Sequence, residues 1–287
     1  MSSTATLNIR SSNDMTQPKR VFITGGASGL GRALALRYAR DGWRVCIADL
    51  NDERGESTRV ELATAGAAEA FYRHADVTRE ADLQAIADEL ARVWGGLDVL
   101  INNAGVAQAG AIEDVSLADW EWIVNINLFG VVRGCKVFTP LFKQQGSGHI
   151  VNIASMAGLL DVPRMASYNV SKAAVVALTG TLEQELMEFG IGVSVVCPSF
   201  FQTNLGETMR ATDPGLIKMM SKLLASGKLT ADQVADAIVA GVAKKQVHIL
   251  PHVAGERLWK AKRFLPHVLY SRMFQKSMQG MKPRSAR

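Results

Sequence analysis

Long apolar runs are missing from this chain. No window of its 287 residues holds 18 uninterrupted apolar side chains, so no bilayer-spanning helix is expected. The first 20 residues lack an apolar core of the secretory kind, and export is not expected. Cysteine is scarce. Cys46, Cys135 and Cys197 are odd in number, far apart and each set in an apolar run. That pattern fits neither a disulfide framework nor a metal cluster, and it predicts buried thiols in a reducing compartment, the cytoplasm. Compositional bias is absent too: 48% hydrophobic residues, 21% charged, 25 Gly and 8 Pro exclude a disordered tail protein and a collagen-like repeat. Most of the chain also lacks an excess of positive charge. From Lys244 to Arg287 eleven Lys/Arg face one acid, Glu256, a net of +10, whereas the whole chain carries +5, so the rest holds −5. A mildly acidic body predicts no nucleic-acid partner.

What the chain does have is regular alternation. Residues 1–19 are rich in Ser, Thr and Asn without an apolar period and are expected to form a mobile extension. From Arg20 onward, short apolar runs of the kind that fill buried parallel strands alternate with helical segments. Strands are predicted over 20–24, 45–48, 70–74, 98–101, 149–153, 193–197 and 248–250. Helices are predicted over 32–41, 52–65, 80–94, 117–144 (one long helix), 168–188 and 230–244, several stopped by glycine. Seven strands separated by helices specify an α/β fold, a single doubly wound Rossmann-type domain over 20–250 with a seven-stranded parallel sheet. Residues 251–287 are left as a basic amphipathic C-terminal extension.

The first strand runs into Thr24-Gly25-Gly26-Ala27-Ser28-Gly29-Leu30-Gly31, with a helix behind it. Glycines at 25, 29 and 31 permit a tight turn and close backbone approach. The helix start at Ser28–Leu30 aims N–H groups and a positive dipole end at the same point, a seat for pyrophosphate. Asp49, followed by Leu50, ends the second strand 18 positions after Gly31. A carboxylate there accepts hydrogen bonds from a ribose diol and repels a 2′-phosphate; its other reading is a helix N-terminal acid beside Asp52 and Glu53. No Arg or Lys stands at 50 or 51, so NAD is expected over NADP.

Thr24-Gly25-x-x-x-Gly29-x-Gly31, Asp76-Val77, Asn102-Asn103-Ala104-Gly105 and Tyr168-x-x-x-Lys172 together resemble the classical short-chain dehydrogenase/reductase (SDR) family over about residues 20–250. The resemblance implies an oxidoreductase, commonly a tetramer, with Asp76 and Val77 near the adenine and Asn103, Ala104 and Gly105 along the ribose. It also implies that Asn127, in Asn127-Leu-Phe-Gly130, holds a water beside Lys172; Asn125 is the competitor, and a packing asparagine the alternative role. Lys172 would also hold the nicotinamide ribose. Pro198 and Thr203 match the family, and Phe201 would set its backbone beside the carboxamide, but Ser199 stands where the family has glycine.

Tyr168 and Lys172 share one helix face. A phenol near pKa 10 is a poor base at neutral pH, and a neighbouring ammonium is expected to lower it. Ser155 follows a central strand, where open α/β sheets collect ligands, and its hydroxyl can stabilise a developing alkoxide. The expected reaction is hydride exchange between a secondary alcohol and a ketone or aldehyde, with Asn127, Ser155, Tyr168 and Lys172 as the catalytic set. The alternative is a non-catalytic nucleotide-sensing protein on the same fold, which loss of one catalytic group would favour.

Past Thr203 come Met209, Leu216, Ile217, Met219, Met220, Leu223 and Leu224. They read either as an adaptable lid over a hydrophobic substrate or as an amphipathic helix packed on its own core. The C-terminal segment mixes Trp259, Phe264, Leu265, Val268, Leu269, Tyr270, Met273 and Phe274 with basic residues. It has three readings: peripheral membrane contact, cover for a neighbouring subunit in a dimer or tetramer, or a shield over its own active site.

Overall fold

The computed structural model describes residues 17–279; residues 1–16 of the N-terminal extension, and 280–287, lie outside the described residues. Buried β-branched and aromatic runs form the strands. Val21, Phe22 and Ile23 of β1 (Arg20–Thr24) are fully buried. The helices and strands that follow are α1 (Gly29–Arg40), β2 (Arg44–Asp49), α2 (Asp52–Thr64), β3 (Glu69–His74), α3 (Glu80–Trp94) and β4 (Val99–Asn102). Next come β5 (Gln108–Ala109), α4 (Leu117–Val124), α5 (Gly130–Gln145), β6 (Gly148–Ile153), α6 (Ala166–Leu186), β7 (Ile191–Val196), β8 (Arg210–Ala211), α7 (Pro214–Ala225), α8 (Ala231–Ala243), β9 (His248–Ile249), α9 (Val253–Phe264) and α10 (His267–Gln279).

Seven strands form one parallel sheet in the order β3-β2-β1-β4-β6-β7-β9. Val21 of β1 pairs with Val45 on one side and Val99 on the other, so the chain winds outward from β1 and then returns across it. Side chains alternate between the two faces. Phe22, Cys46, Leu100 and Ile150 pack with α3 and α5 residues such as Leu90 and Phe138. Ile23, Ile47 and Ile101 pack with α1 and α8 residues such as Leu34 and Ile238. All three cysteines are buried thiols. In such a sheet the point of reversal, between β1 and β4, opens a crevice at the carboxyl ends of the strands.

Two features depart from the expected element pattern. The single helix predicted over 117–144 is α4 and α5 joined by a π-helical turn, Asn125–Phe129. Its wider turn coincides with Asn127, whose side chain bonds back to the Val106 backbone; inserted π turns of this kind cluster at functional sites. A small second sheet pairs β5 with β8 and ties the segment before α7 to the core. The C-terminal helices fold back onto the chain: Tyr270, 4% exposed, belongs to the same apolar cluster as Met156, Leu159 and Leu160.

Candidate active site

One cavity of about 830 Å³ runs from the glycine turn, past the ends of β2, β4 and β6, to α7 and the C-terminal helices. At one end, Gly25 and Gly29 have φ of +63° and +51°, a conformation that side-chain-bearing residues rarely adopt. A Cβ on Gly29 would lie 2.8 Å from Thr203 Oγ1. Ser28 precedes α1 without a side-chain cap, and no acid occupies the first turn, so the first N–H groups of the helix are available to an anion. Asn103 braces the turn by donating from Nδ2 to the carbonyls of Thr24 and Gly25 (2.9 and 3.0 Å). Ser28, Leu30, Asp49, Leu50, Asp76, Val77, Ala104 and Gly105 also line the cavity. Gly31 does not; it packs inward against the Gly25 carbonyl. Asp49 Oδ2 accepts from Ala27 N at 3.1 Å.

At the middle, β6 ends and Ser155 begins a short 3₁₀ turn, accepting at Oγ from Ala157 N (3.1 Å). The turn lies hard against α6: a Cβ on Gly158 would be 2.6 Å from the Lys172 carbonyl carbon. This close approach brings Ser155, Tyr168 and Lys172 to one stretch of wall. Lys172 Nζ donates to Ile153 O (2.9 Å) and sits 5.9 Å from the Tyr168 ring centroid. Asn127 is fully buried and lies behind the wall, bonded to Val106 and donating to Ser171 Oγ (3.2 Å). It is near Lys172 nonetheless: a Cβ on Gly105 would lie 3.1 Å from Asn127 Oδ1 and 3.3 Å from Lys172 Nζ. Asn125 points elsewhere, accepting from Arg133 at Oδ1 (2.8 Å).

The electrostatics correct one expectation. Burial dominates the Tyr168 phenol and pushes its pKa above the usual value, against a smaller lowering by the Ser155 hydroxyl. The expected net lowering by Lys172 is therefore not met. Burial also pulls the Lys172 ammonium down to about 8, against a smaller raising by Cys197.

Pro198, Phe201 and Thr203 line the cavity as well. Ser199, in place of the family's glycine, donates its N–H to His252 Nδ1 at 3.1 Å. His252 is held neutral by burial, as an acceptor nitrogen must be.

Several wall residues escaped the sequence reading. Arg54 lines the cavity and pairs with Glu207 (2.8 Å) across its mouth. Position 54 lies one helical turn beyond Asn51, whose Oδ1 accepts from Arg54 N; the signal was helical periodicity from the helix start rather than adjacency to Asp49. Met156, Leu160, Val162, Met165 and Leu258 line the far end and were likewise missed, whereas Met220 and Leu224 of α7 and Phe274 of α10, also in that wall, belong to the segments whose readings included a lid and a shield. Of the methionine-rich segment, Leu216, Met220 and Leu224 form the buried face of one helix while Ile217 is turned out. The segment is thus an amphipathic helix that also supplies cavity wall.

A family model described as short chain dehydrogenase matches residues 19–214. The chain belongs to the short-chain dehydrogenase family. Among curated relatives it is 34% identical over 262 residues to the probable oxidoreductase EphD of Mycobacterium bovis, covering 88% of this chain but 44% of that protein. The chain therefore spans less than half of that relative. It is also 34% identical over 236 residues to a 3-alpha-(or 20-beta)-hydroxysteroid dehydrogenase of the same organism, covering 78% of this chain and 88% of the relative. Among solved structures, an SDR from Burkholderia phymatum in complex with NAD superposes with a TM-score of 0.82 at 34% identity, covering 86% of this chain and 93% of that one. A short-chain dehydrogenase from Sphingobium yanoikuyae in complex with NADPH superposes with a TM-score of 0.70 at 27% identity, covering 94% and 98%.

Proposed function

We propose that this protein is a nicotinamide-dependent oxidoreductase that interconverts an apolar secondary alcohol and its carbonyl, with NAD preferred over NADP. The observation that carries the reading is one cavity whose wall holds both the glycine turn and the Ser155, Tyr168, Lys172 set. The turn suits a dinucleotide. Its positive-φ glycines keep side chains out of the space in front of α1, and the uncapped helix start offers N–H groups to a pyrophosphate. Asp49 and Leu50 at the end of β2 would meet the adenosine ribose, with Asp76 and Val77 beside the base. Asn103–Gly105 would flank the second ribose, and Pro198, Phe201 and Thr203 the carboxamide.

When bound, NAD supplies the hydride acceptor, and NADH the donor, at the nicotinamide C4. The remaining work falls to the chain. Ser155 Oγ and Tyr168 Oη bind the substrate oxygen. In oxidation the tyrosinate takes the hydroxyl proton; in reduction the phenol returns it to the alkoxide oxygen, so protons balance in both directions. The Lys172 ammonium, 5.9 Å from the Tyr168 ring centroid, would favour the phenolate against the burial that raises its pKa. Asn127 keeps that ammonium company on the solvent-remote side and would hold a water for proton exchange. Beyond Tyr168 the wall is Met156, Leu160, Val162, Met165, Met220 and Leu224. Burying a charged substrate there would be costly without a counterion, so an uncharged apolar one is favoured. The hydroxysteroid dehydrogenase relative acts on substrates of that class. We place the enzyme in the cytoplasm as a homo-oligomer, dimer or tetramer.

A screen of apolar secondary alcohols with NAD and NADP, followed at 340 nm, tests the reading. Turnover with NAD above NADP is expected. Binding of NADH without turnover of any alcohol or ketone would instead identify a nucleotide-sensing protein.

A further inference from the structure

We propose that the outward face of the α9–α10 hairpin docks onto an anionic lipid bilayer. The two sides of α10 carry opposite chemistry. Toward the protein, Tyr270 is 4% exposed and stacks on Phe274 at 5.6 Å, and Phe274 itself lines the cavity. At about 3.6 residues per turn, positions 268, 269, 272, 273 and 276 fall together on the other side. There Val268, Leu269 and Met273 are 61%, 52% and 37% exposed, interleaved with exposed Arg272 and Lys276. The end of α9 adds Phe264, 78% exposed, and the turn after it Leu265. No helix among the described residues is long and apolar enough to cross a membrane, so the contact is one lying in the interface, which this mixture of exposed apolar and cationic side chains suits.

Charge selects the occupant. Between residues 253 and 276 the only acid is Glu256, and Lys260 holds it at 2.7 Å. Arg257, Arg263, Arg272 and Lys276 have no ion-pair partner among the described residues, whereas Lys262 is committed to Asp161. A twofold contact between two copies of this face would set these cations against themselves. An anionic lipid surface complements them, each cation near it being worth about a fivefold gain in binding. The inward side then supplies wall for an apolar substrate that partitions into the same bilayer, a consequence that rests on the function proposed above.

The test is co-sedimentation of the full chain, without cofactor, with vesicles of phosphatidylcholine alone and of equal parts phosphatidylcholine and phosphatidylserine. Binding to the anionic vesicles only, reduced by salt, is expected. Val268→Asp with Leu269→Asp, and separately Arg272→Glu with Lys276→Glu, should each weaken it at least tenfold while leaving turnover of a water-soluble alcohol and the oligomeric state unchanged. No sedimentation, equal binding to both vesicles, or variants that bind like the parent would each overturn the proposal. So would variants that dissociate an oligomer in sedimentation equilibrium, which would make the face an interface between copies. Vesicle binding needs no turnover, so its failure leaves hydride transfer standing, and a failure of turnover leaves the docking surface standing.

Discussion

At the glycine-turn end of the cavity the wall includes Gly25, Ser28, Gly29, Leu30 and residues 103–105, a backbone turn fixed by Asn103, which donates to the Thr24 hydroxyl and to the Thr24 and Gly25 carbonyls. At the apolar end it is side chain: Met156, Met165, Met220, Leu224, Leu258 and Phe274, brought from four separate stretches of chain. A backbone wall recognises one shape and tolerates little change. A wall rich in methionine can be reshaped residue by residue, because that unbranched, flexible side chain repacks. One end is thus suited to a constant ligand and the other to a variable one, with Ser155, Tyr168 and Lys172 between them.

The largest break comes at that junction. Tyr168→Phe removes the oxygen proposed to transfer the proton and should lower kcat by about 10³-fold, within the range typical of general acid–base groups, while the Kd for NADH measured by fluorescence changes little. The raised phenol pKa sets the pH dependence. The protonated form persists to higher pH than in a free phenol, so carbonyl reduction should stay flat through neutral pH and alcohol oxidation should climb as the solution becomes alkaline.

Lys172 sharpens the same point, since its burial costs stability that the proposed chemistry would explain. Its pKa falls from 10.5 to about 8 on folding, so the folded state binds fewer protons between those values. The penalty, about 3 kcal/mol, is complete below pH 8 and relieved as pH rises toward 10.5. Lys172→Met removes it but leaves the Ile153 carbonyl without its donor, at about 1–3 kcal/mol. A net gain of about 1 kcal/mol at pH 7 is expected, a rise of roughly 2–4 °C in Tm. That gain should vanish by pH 10, and turnover should fall about 100-fold. Thermal melts at both pH values check the sign.

The same contrast explains what the sequence made legible. The seven parallel strands and the placing of the glycine turn follow from local signals: apolar strands, glycine stops and a turn within eight residues of Arg20–Thr24. Ser155, Tyr168 and Lys172 were readable because a strand end and one helix face locate them. The apolar end was only partly readable: a lid over 209–224 and a C-terminal shield were each one reading among others, because α7, α9 and α10 meet there only through tertiary packing. The π turn at Asn125–Phe129 was missed for a related reason: its side-chain bonds to Val106 compensate backbone geometry that no propensity favours. The phenol pKa was misjudged because charge can be read from sequence while burial, the larger effect at Tyr168, cannot.

Met220→Ala tests the apolar end. Met220 is 5% exposed and reaches the cavity, so the truncation enlarges that end and costs contacts to a small substrate. The ratio of kcat/KM for a bulky over a small alcohol should rise about tenfold, the order set by a methylene or two, with the Kd for NAD unchanged. An altered coenzyme affinity would mean that the two ends are not independent.

Glu207→Gln is the reciprocal change and the smallest. Arg54 and Glu207 are both about half exposed, and their 2.8 Å pair spans the mouth beside Asp49. Such a pair is worth about 1 kcal/mol or less, but while it lasts it occupies Arg54, the one cation among the described residues that lines the cavity close to the end of β2. Without the carboxylate, Arg54 can turn to a 2′-phosphate. The ratio of kcat/KM for NADP over NAD should rise by up to about fivefold, and the ranking of alcohols should stay as it was. If the ratio does not move, Asp49 alone sets coenzyme choice, and the ion pair serves only to tie the segment before α7 to α2.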